Sequence, residues 1–119
     1  MKLKKFLEEH NIEAMLISSK YSLRYFTGFT GTTGIALAFA EKRFFFTDFR
    51  YVTQAKKEVE PNGFTVVKVE RGAVDALAEY IKNSGIKKLG IEDKYVTLAE
   101  YVVYKEKFEG IGFVTLGEA

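Results

Sequence analysis

Residues 21–51 read YSLRYFTGFTGTTGIALAFAEKRFFFTDFRY. The stretch begins with a loop rich in glycine and threonine and continues into two apolar runs, Ile35–Ala40 and Phe44–Thr47, which three charged residues separate. Short apolar runs on either side of a polar turn are typical of a β-hairpin, so the stretch predicts loop, strand, turn and strand. Asp48 directly follows the second strand, where its carboxylate can accept a backbone N–H at the start of the next helix. Arg50 is expected to project near the rim of this turn.

On both sides of this stretch, strand patterns alternate with helical patterns. Ala14–Ile17 is a short apolar run that predicts a central, buried strand, and one helical turn at Ser22–Phe26 is expected to present Tyr21 or Tyr25 to the core. The remaining patterns predict helices over Lys2–His10, Phe49–Val59, Val74–Ile81 and Thr97–Phe108, and strands over Phe64–Val69, Lys88–Glu92 and Gly112–Leu116. This order predicts an α/β fold, a layered mixed β-sheet with helices on both faces.

Composition narrows the class of protein. The chain has 119 residues, of which 47% are hydrophobic and 15% aromatic, so one domain can bury roughly two thirds of its unfolded surface. Cysteine is absent, which excludes disulfides, thiolate metal sites and a cysteine nucleophile, and favours a cytoplasmic location. The net charge of +2 comes from interspersed charges, so nucleic acid is not an expected partner. No apolar run approaches the length of a membrane span, so a membrane is not an expected partner either.

No catalytic or metal-binding residue is predicted in this chain. His10, the only histidine, closes a helix rich in lysine and glutamate, and it is interpreted as a solvated residue at a helix end. Glu92 and Asp93 end a strand and are interpreted as solvated loop carboxylates, while Glu58 is placed on the side of its helix away from the buried face. A metal site would need several converging ligands, and the spacing shows no such cluster.

The glycines of the opening loop, Gly28, Gly31 and Gly34, recur every third residue. Phosphate-binding glycine loops run from a strand into a helix, whereas this loop runs into a strand, so positive φ angles or the close passage of another backbone explain the glycines better. The aromatic run after the loop leaves an alternative open. Phe45 or Phe49 meets a partner surface, or a sheet covered on both faces buries the run.

Four features of the sequence carry a resemblance to a known family. They are the aromatic-Thr-Gly-Phe motif Tyr25-Phe26-Thr27-Gly28-Phe29, the small-residue loop that ends at Gly34, the Ile35–Ala40 strand, and Thr47-Asp48-Phe49-Arg50-Tyr51 with Gln54-Ala55. Together with Leu89-Gly90-Ile91-Glu92, they resemble the N-terminal domain of Xaa-Pro aminopeptidases and prolidases, the creatinase-like M24 group of metallopeptidases. The resemblance covers essentially residues 1–119 as a single domain. Phe49 departs from it, since a small residue such as glycine is frequent there.

The resemblance implies a fold with a ribonuclease H-like motif and a second, pita-bread catalytic domain C-terminal to Ala119. It places the segment Gly117–Ala119 near the connection between the two domains. That domain would carry two divalent metals, manganese or cobalt, and no cofactor is implied in this chain. The resemblance also implies that the domain supports a homodimer and shapes the cleft for a short proline-containing peptide. In this interpretation Arg50 contacts substrate, and its supporting or interface residues are Phe29, Gly31, Asp48 and Tyr51.

The sequence therefore favours the non-catalytic N-terminal domain of an Xaa-Pro aminopeptidase or prolidase, with the 119-residue chain alone inactive. From the residues alone, a structural pairing of Arg50 is as good an interpretation as a ligand-facing one, because arginine suits both. Two other functions stay open. One is a stand-alone binding or assembly module of the same fold, and the other is a domain of a creatinase-type amidinohydrolase.

Overall fold

The computed structural model describes residues 2–31, 33–70 and 72–116. These residues form a six-stranded sheet with helices on both faces. The strands are β1 (Ala14–Ile17), β2 (Ile35–Phe39), β3 (Arg43–Thr47), β4 (Thr65–Lys68), β5 (Lys88–Ile91) and β6 (Gly112–Thr115). The helices are α1 (Lys2–Glu9), α2 (Lys20–Thr27), α3 (Val52–Val59), α4 (Val74–Ser84) and α5 (Leu98–Lys107), and a 3-10 turn at Glu60–Asn62 follows α3. The predicted α/β class is confirmed. The expected connection to a second domain, at Gly117–Ala119, lies outside the described residues.

The strand order, β4-β3-β2-β1-β5-β6, makes β1 a central strand, as its apolar run predicts. The strand β2 runs antiparallel to both β1 and β3, whereas β4 pairs parallel with β3, and β5 and β6 continue parallel from β1. Five strands therefore end at the same side of the sheet, where β2 begins. We call this side the carboxyl edge, and the β1–α2, β3–α3 and β5–α5 connections all leave from it.

The predicted hairpin forms from β2 and β3, and alternate residues of its strands enter two separate cores. Phe45 faces the core under α1, α2 and α3, together with Met15 and Ile17 of β1. Phe46 faces the opposite core under α4 and α5, together with Leu16. Because successive strand residues point to opposite faces, a sheet covered on both sides needs apolar residues at every position. The aromatic run is therefore explained mainly by burial, and a partner surface is not needed to explain Phe45.

Local signals at the ends of three helices are confirmed. Thr97 and Glu100 form a reciprocal capping box at the start of α5. Gly85 ends α4 in the left-handed conformation, with φ of 75°, which glycine adopts at little cost. The segment Glu60–Gly63 ends α3 as a 3-10 turn closed by Gly63 in the same conformation. These ends depend on neighbouring residues alone, which is why the sequence predicts them well.

The expectation for Tyr21 and Tyr25 is wrong. The segment forms a helix of eight residues, and its buried stripe contains Leu23 and Phe26, while Tyr21 and Tyr25 are 80% and 62% exposed. Tyr21 and Tyr25 are four residues apart, so they share one side of the helix. Because Leu23 and Phe26 occupy the buried side, both tyrosines face solvent. Ser19 begins the helix, because its Oγ accepts the backbone N–H of Ser22 at 3.1 Å.

Candidate functional site

The turn after β3 brings Asp48 and Arg50 into a two-point ion pair at the carboxyl edge. The Asp48 carboxylate accepts the Arg50 Nε–H at 3.1 Å and an Nη2–H at 2.8 Å. Asp48 Oδ1 also accepts the backbone N–H of Arg50 at 2.9 Å, within a turn closed by the Tyr51 N–H on the Asp48 carbonyl. The expected helix cap is thus corrected. The helix α3 begins only at Val52, so Asp48 stabilises the turn before it.

This pair changes the electrostatics of both groups. The hydrogen bond from the Arg50 side chain holds the pKa of Asp48 below its usual value, and the same contact raises the pKa of Arg50. The Arg50 side chain is nevertheless 60% exposed. Two of its five N–H donors are directed at Asp48, so the guanidinium retains donors for a planar carboxylate or carbonyl. The contact with Asp48 orients Arg50 at the surface and does not bury it.

Aromatic contacts join Arg50 to the opening loop. The Arg50 guanidinium lies 5.3 Å from the centroid of the Tyr51 ring, and Tyr51 meets Phe29 edge to face at 6.2 Å. Phe29 is buried, and its ring lies so close to Gly31 that a Cβ on Gly31 would clash with it. The five residues named from the sequence therefore form one contiguous group. We call it the rim cluster, and it consists of Phe29, Gly31, Asp48, Arg50 and Tyr51.

The glycines beside the rim cluster serve two purposes. Gly28 ends α2 with φ of 86°, so the expectation of a positive φ is correct there. Gly34, like Gly31, makes room for a phenylalanine ring, that of Phe45. The close passage at these two positions thus involves aromatic rings and not a second backbone, which corrects the expectation. A Thr47 Oγ–H donated to the Thr33 carbonyl at 2.6 Å joins the end of the loop to β3.

Beside Asp48, the carboxyl edge contains a small open cleft of about 230 Å³. Its walls come from the start of β2, the end of β3 and the segment after β4, and include Gly34, Thr47, Asp48, Val69 and Gly72. Phe49 lies in the turn next to Asp48 and is 76% exposed. The candidate site is thus a shallow surface with an oriented cation, aromatic side chains and an apolar cleft.

Three side chains of α3 and of the 3-10 turn after it hold the opening loop. The Glu58 carboxylate accepts the backbone N–H of Thr30 at 2.9 Å and its hydroxyl at 2.8 Å. Gln54 Nε2 donates to both Thr30 Oγ1 and Glu58, and Asn62 donates to the Thr27 carbonyl at 2.9 Å. The Thr30 N–H is the main cause of a lowered pKa at Glu58. Glu58 lies away from the core, as expected, but the sequence does not reveal its contact with the loop.

Glu92 is the main residue that the sequence misassigns. It is completely buried, not solvated, and its Oε1 accepts the backbone N–H groups of Ser18 at 2.8 Å and Ser19 at 3.1 Å. Its Oε2 accepts the hydroxyl groups of Ser19 and Ser22. The donors lie 70 to 74 residues away. The parallel pairing of β1 with β5 brings these groups together. The only sign of this contact in the sequence is that Ser18 and Ser19 follow one predicted strand and Glu92 follows another.

His10 is the remaining candidate from the sequence. His10 is exposed and stacks on Phe6, and its Nδ1 lies 3.0 Å from the Phe6 carbonyl oxygen. Among residues 2–31, 33–70 and 72–116, no three His, Cys, Asp or Glu side chains converge to hold a metal. The described residues therefore do not fit the two-metal centre that the resemblance implies for another domain. Within the same ranges, no helix has the length and apolar character needed to cross a membrane.

Comparison with known proteins identifies the family of this fold. The Creatinase/Prolidase N-terminal domain model matches residues 1–119. The chain is 35% identical over 118 residues to the uncharacterized peptidase YqhT of Bacillus subtilis, covering 99% of this chain and 33% of that protein. It spans about a third of the length of that relative.

Solved structures agree with the family match. An Xaa-Pro dipeptidase from Bacillus anthracis superposes with a TM-score of 0.88 at 34% identity, covering 98% of this chain and 32% of that one. The N-terminal domain of the cytoplasmic peptidase PepQ from Mycobacterium tuberculosis superposes with a TM-score of 0.85 at 32% identity, covering 98% of this chain and 90% of that one. The mixed sheet with helices on both faces is thus the architecture of these domains, and the chain belongs to the creatinase/prolidase N-terminal domain family.

Proposed function

We propose that this domain is the non-catalytic N-terminal domain of a cytoplasmic, metal-dependent Xaa-Pro peptidase, an aminopeptidase P or a prolidase. The complete enzyme would hydrolyse the bond before proline in short peptides. Its two divalent metals, manganese or cobalt, would bind in a catalytic domain C-terminal to these residues. The family match supports this proposal, as does the similarity to an Xaa-Pro dipeptidase and to a peptidase three times as long as the chain.

The observation that carries the proposed role of the domain is the oriented arginine of the rim cluster. Arg50 is exposed, yet Asp48 and the Tyr51 ring hold it on a turn that directly follows a core strand. A guanidinium held on a rigid element is suited to bind a peptide carboxylate or carbonyl. In the complete enzyme this cluster would form part of the wall of the substrate cleft, with Arg50 contacting the peptide and the other four residues supporting it.

We also propose that the domain supports a homodimer. In the turn between β3 and α3, the large apolar side chain of Phe49 is exposed. Exposed aromatic residues of this kind are enriched in protein interfaces. Analytical ultracentrifugation of the complete polypeptide tests this proposal. We expect a dimer at micromolar concentration, and a protein that remains a monomer there would contradict it.

Kinetics of the complete polypeptide test the role of Arg50. We expect Arg50→Ala to raise KM for an Xaa-Pro peptide roughly tenfold or more with little change in melting temperature, because a charged hydrogen bond to substrate is lost. Arg50→Lys should recover little, since lysine lacks the planar pair of donors. Lys42→Ala, which removes a positive charge from the exposed hairpin turn at the opposite edge, is the matched control and should leave KM unchanged.

Three results would contradict the proposal. A large loss of melting temperature in Arg50→Ala with unchanged kinetics would assign Arg50 a structural role. The intact mass of the native polypeptide in its source cells is a separate test, because a product of 119 residues would indicate a stand-alone module. Purified 119-residue material with added manganese should show no Xaa-Pro hydrolysis, and metal-dependent turnover by it would show that the domain itself is catalytic.

A further inference from the structure

Gln54, Glu58 and Asn62 recur every fourth residue and form a polar stripe on α3 and the 3-10 turn after it. Residues at this spacing lie along one side of a helix. All three bond to the same short segment, residues 27–30, which lies 24 to 35 positions earlier in the chain. The three side chains of the stripe therefore all form hydrogen bonds with one loop, although they are only partly buried or exposed.

Glu58 makes the strongest of these contacts. Its two carboxylate oxygens accept two donors of a single residue, the N–H and the hydroxyl of Thr30. Hydrogen bonds to a charged acceptor are stronger than those between neutral groups, and two bonds to one residue also restrict its rotation. Gln54 donates to both partners and so closes the arrangement. Thr30 is thus held in position and orientation by a residue outside the rim cluster.

The loop that Glu58 holds is directly connected to Arg50. Thr30 lies between Phe29 and Gly31, both members of the rim cluster. Phe29 packs on Phe45 with ring centroids 4.5 Å apart and meets Tyr51, which lies beside the Arg50 guanidinium. Packed side chains transmit small shifts, because protein interiors have few voids to absorb them. A displacement of Thr30 would therefore reach Arg50 through two aromatic contacts.

We propose that Glu58 is a positioning residue for the rim cluster, which acts on substrate through Thr30, Phe29 and Tyr51 without touching the peptide. The proposal rests on the proposed function of Arg50. Exposed polar contacts of this kind contribute little to global stability. An effect of Glu58 on substrate binding can therefore be separated from an effect on folding.

The experiment uses the complete polypeptide and an Xaa-Pro peptide. We expect Glu58→Ala to raise KM roughly fivefold to tenfold with kcat within about twofold of wild type, because a misplaced binding group weakens association. Glu58→Gln should recover most of the loss, since its amide oxygen can accept the Thr30 N–H and its nitrogen can donate to Thr30 Oγ1. Glu60→Ala, at an exposed glutamate two residues further along, is the matched control and should leave KM unchanged.

Two further measurements make the result specific. Hydrogen exchange of the peptide covering residues 27–31 should become faster in Glu58→Ala and not in Glu60→Ala. Thr30→Val should raise KM by itself, but it should add little to Glu58→Ala, because the two residues form one interaction.

The outcomes distinguish this proposal from the proposed function. If Arg50→Ala raises KM but Glu58→Ala does not, or if Glu58→Ala and Glu60→Ala raise it equally, Glu58 is not a positioning residue. Unchanged hydrogen exchange of the loop in Glu58→Ala would have the same meaning. If neither Arg50→Ala nor Glu58→Ala changes KM, the proposed function fails, and the role of Glu58 fails with it.

Discussion

Two carboxylates follow strands at the carboxyl edge, and their surroundings could hardly differ more. Glu92 follows β5, is completely buried and accepts four hydrogen bonds from neutral donors, two backbone N–H groups and two serine hydroxyls. Asp48 follows β3, is partly exposed and is paired with an arginine that is 60% exposed. A buried carboxylate is tolerated only when its hydrogen bonds are complete. The comparison indicates that Glu92 joins two strands to a helix, whereas Asp48 orients the exposed guanidinium that we propose contacts substrate.

Glu58 stands between these two cases. It lies near the surface like Asp48, but it accepts bonds from a distant segment like Glu92. The three carboxylates therefore form a series, from the structural role of Glu92 to the role in substrate binding that we propose for the surroundings of Asp48. The following experiments test that series through stability, from the largest expected change to the smallest.

Replacement of Glu92 should have the largest effect. We expect Glu92→Ala to lower the free energy of unfolding by about 3 kcal/mol, because three buried donors and one partly buried donor lose their acceptor. Glu92→Gln should cost about half as much, since its amide oxygen can still accept the two backbone N–H groups and the serine hydroxyls can reorient. Urea unfolding of the 119-residue domain measures both. If Glu92→Ala changes stability by less than about 0.5 kcal/mol, Glu92 does not join the strands.

Acidification should reveal Glu58 through a smaller change. The pKa of Glu58 is lower in the folded state than its usual value of 4.5, so its hydrogen bonds stabilise the fold above that value. This contribution is lost as the pH falls through the folded-state pKa. We therefore expect the melting temperature of wild type to fall more steeply below about pH 5 than that of Glu58→Gln. Parallel curves for the two proteins would show that the Glu58 charge does not stabilise the loop.

Replacement of Asp48 should change stability least. Asp48→Asn keeps an oxygen for the backbone N–H of Arg50 but removes the charge that pairs with the guanidinium. Exposed ion pairs of this kind contribute little to stability, so we expect a melting temperature close to that of wild type and far above that of Glu92→Ala. Differential scanning calorimetry at low and moderate salt checks this. A loss comparable with that of Glu92→Ala would place Asp48 among the structural residues and end the contrast.

Most of the architecture follows from patterns that residues form with their near neighbours. The hairpin of β2 and β3, the capping box of Thr97 and Glu100, and the left-handed Gly85 depend on contacts within a few positions. The motif around Asp48 and Arg50 is equally local, so the sequence could place both residues in one turn. It could also group them with Phe29 and Tyr51, because a family resemblance spans that stretch.

The sequence by itself determined the succession of strands and helices, the double-sided burial of the sheet and the membership of one family. Only the tertiary structure decided which polar residues are buried or bonded. Leu23 and Phe26, not Tyr21 and Tyr25, face the core, because the sheet they cover selects one side of α2. Glu92 and Glu58 gain partners 70 to 74 and 28 residues away. Strand pairing and helix docking bring such groups together, and a local pattern contains no information about either.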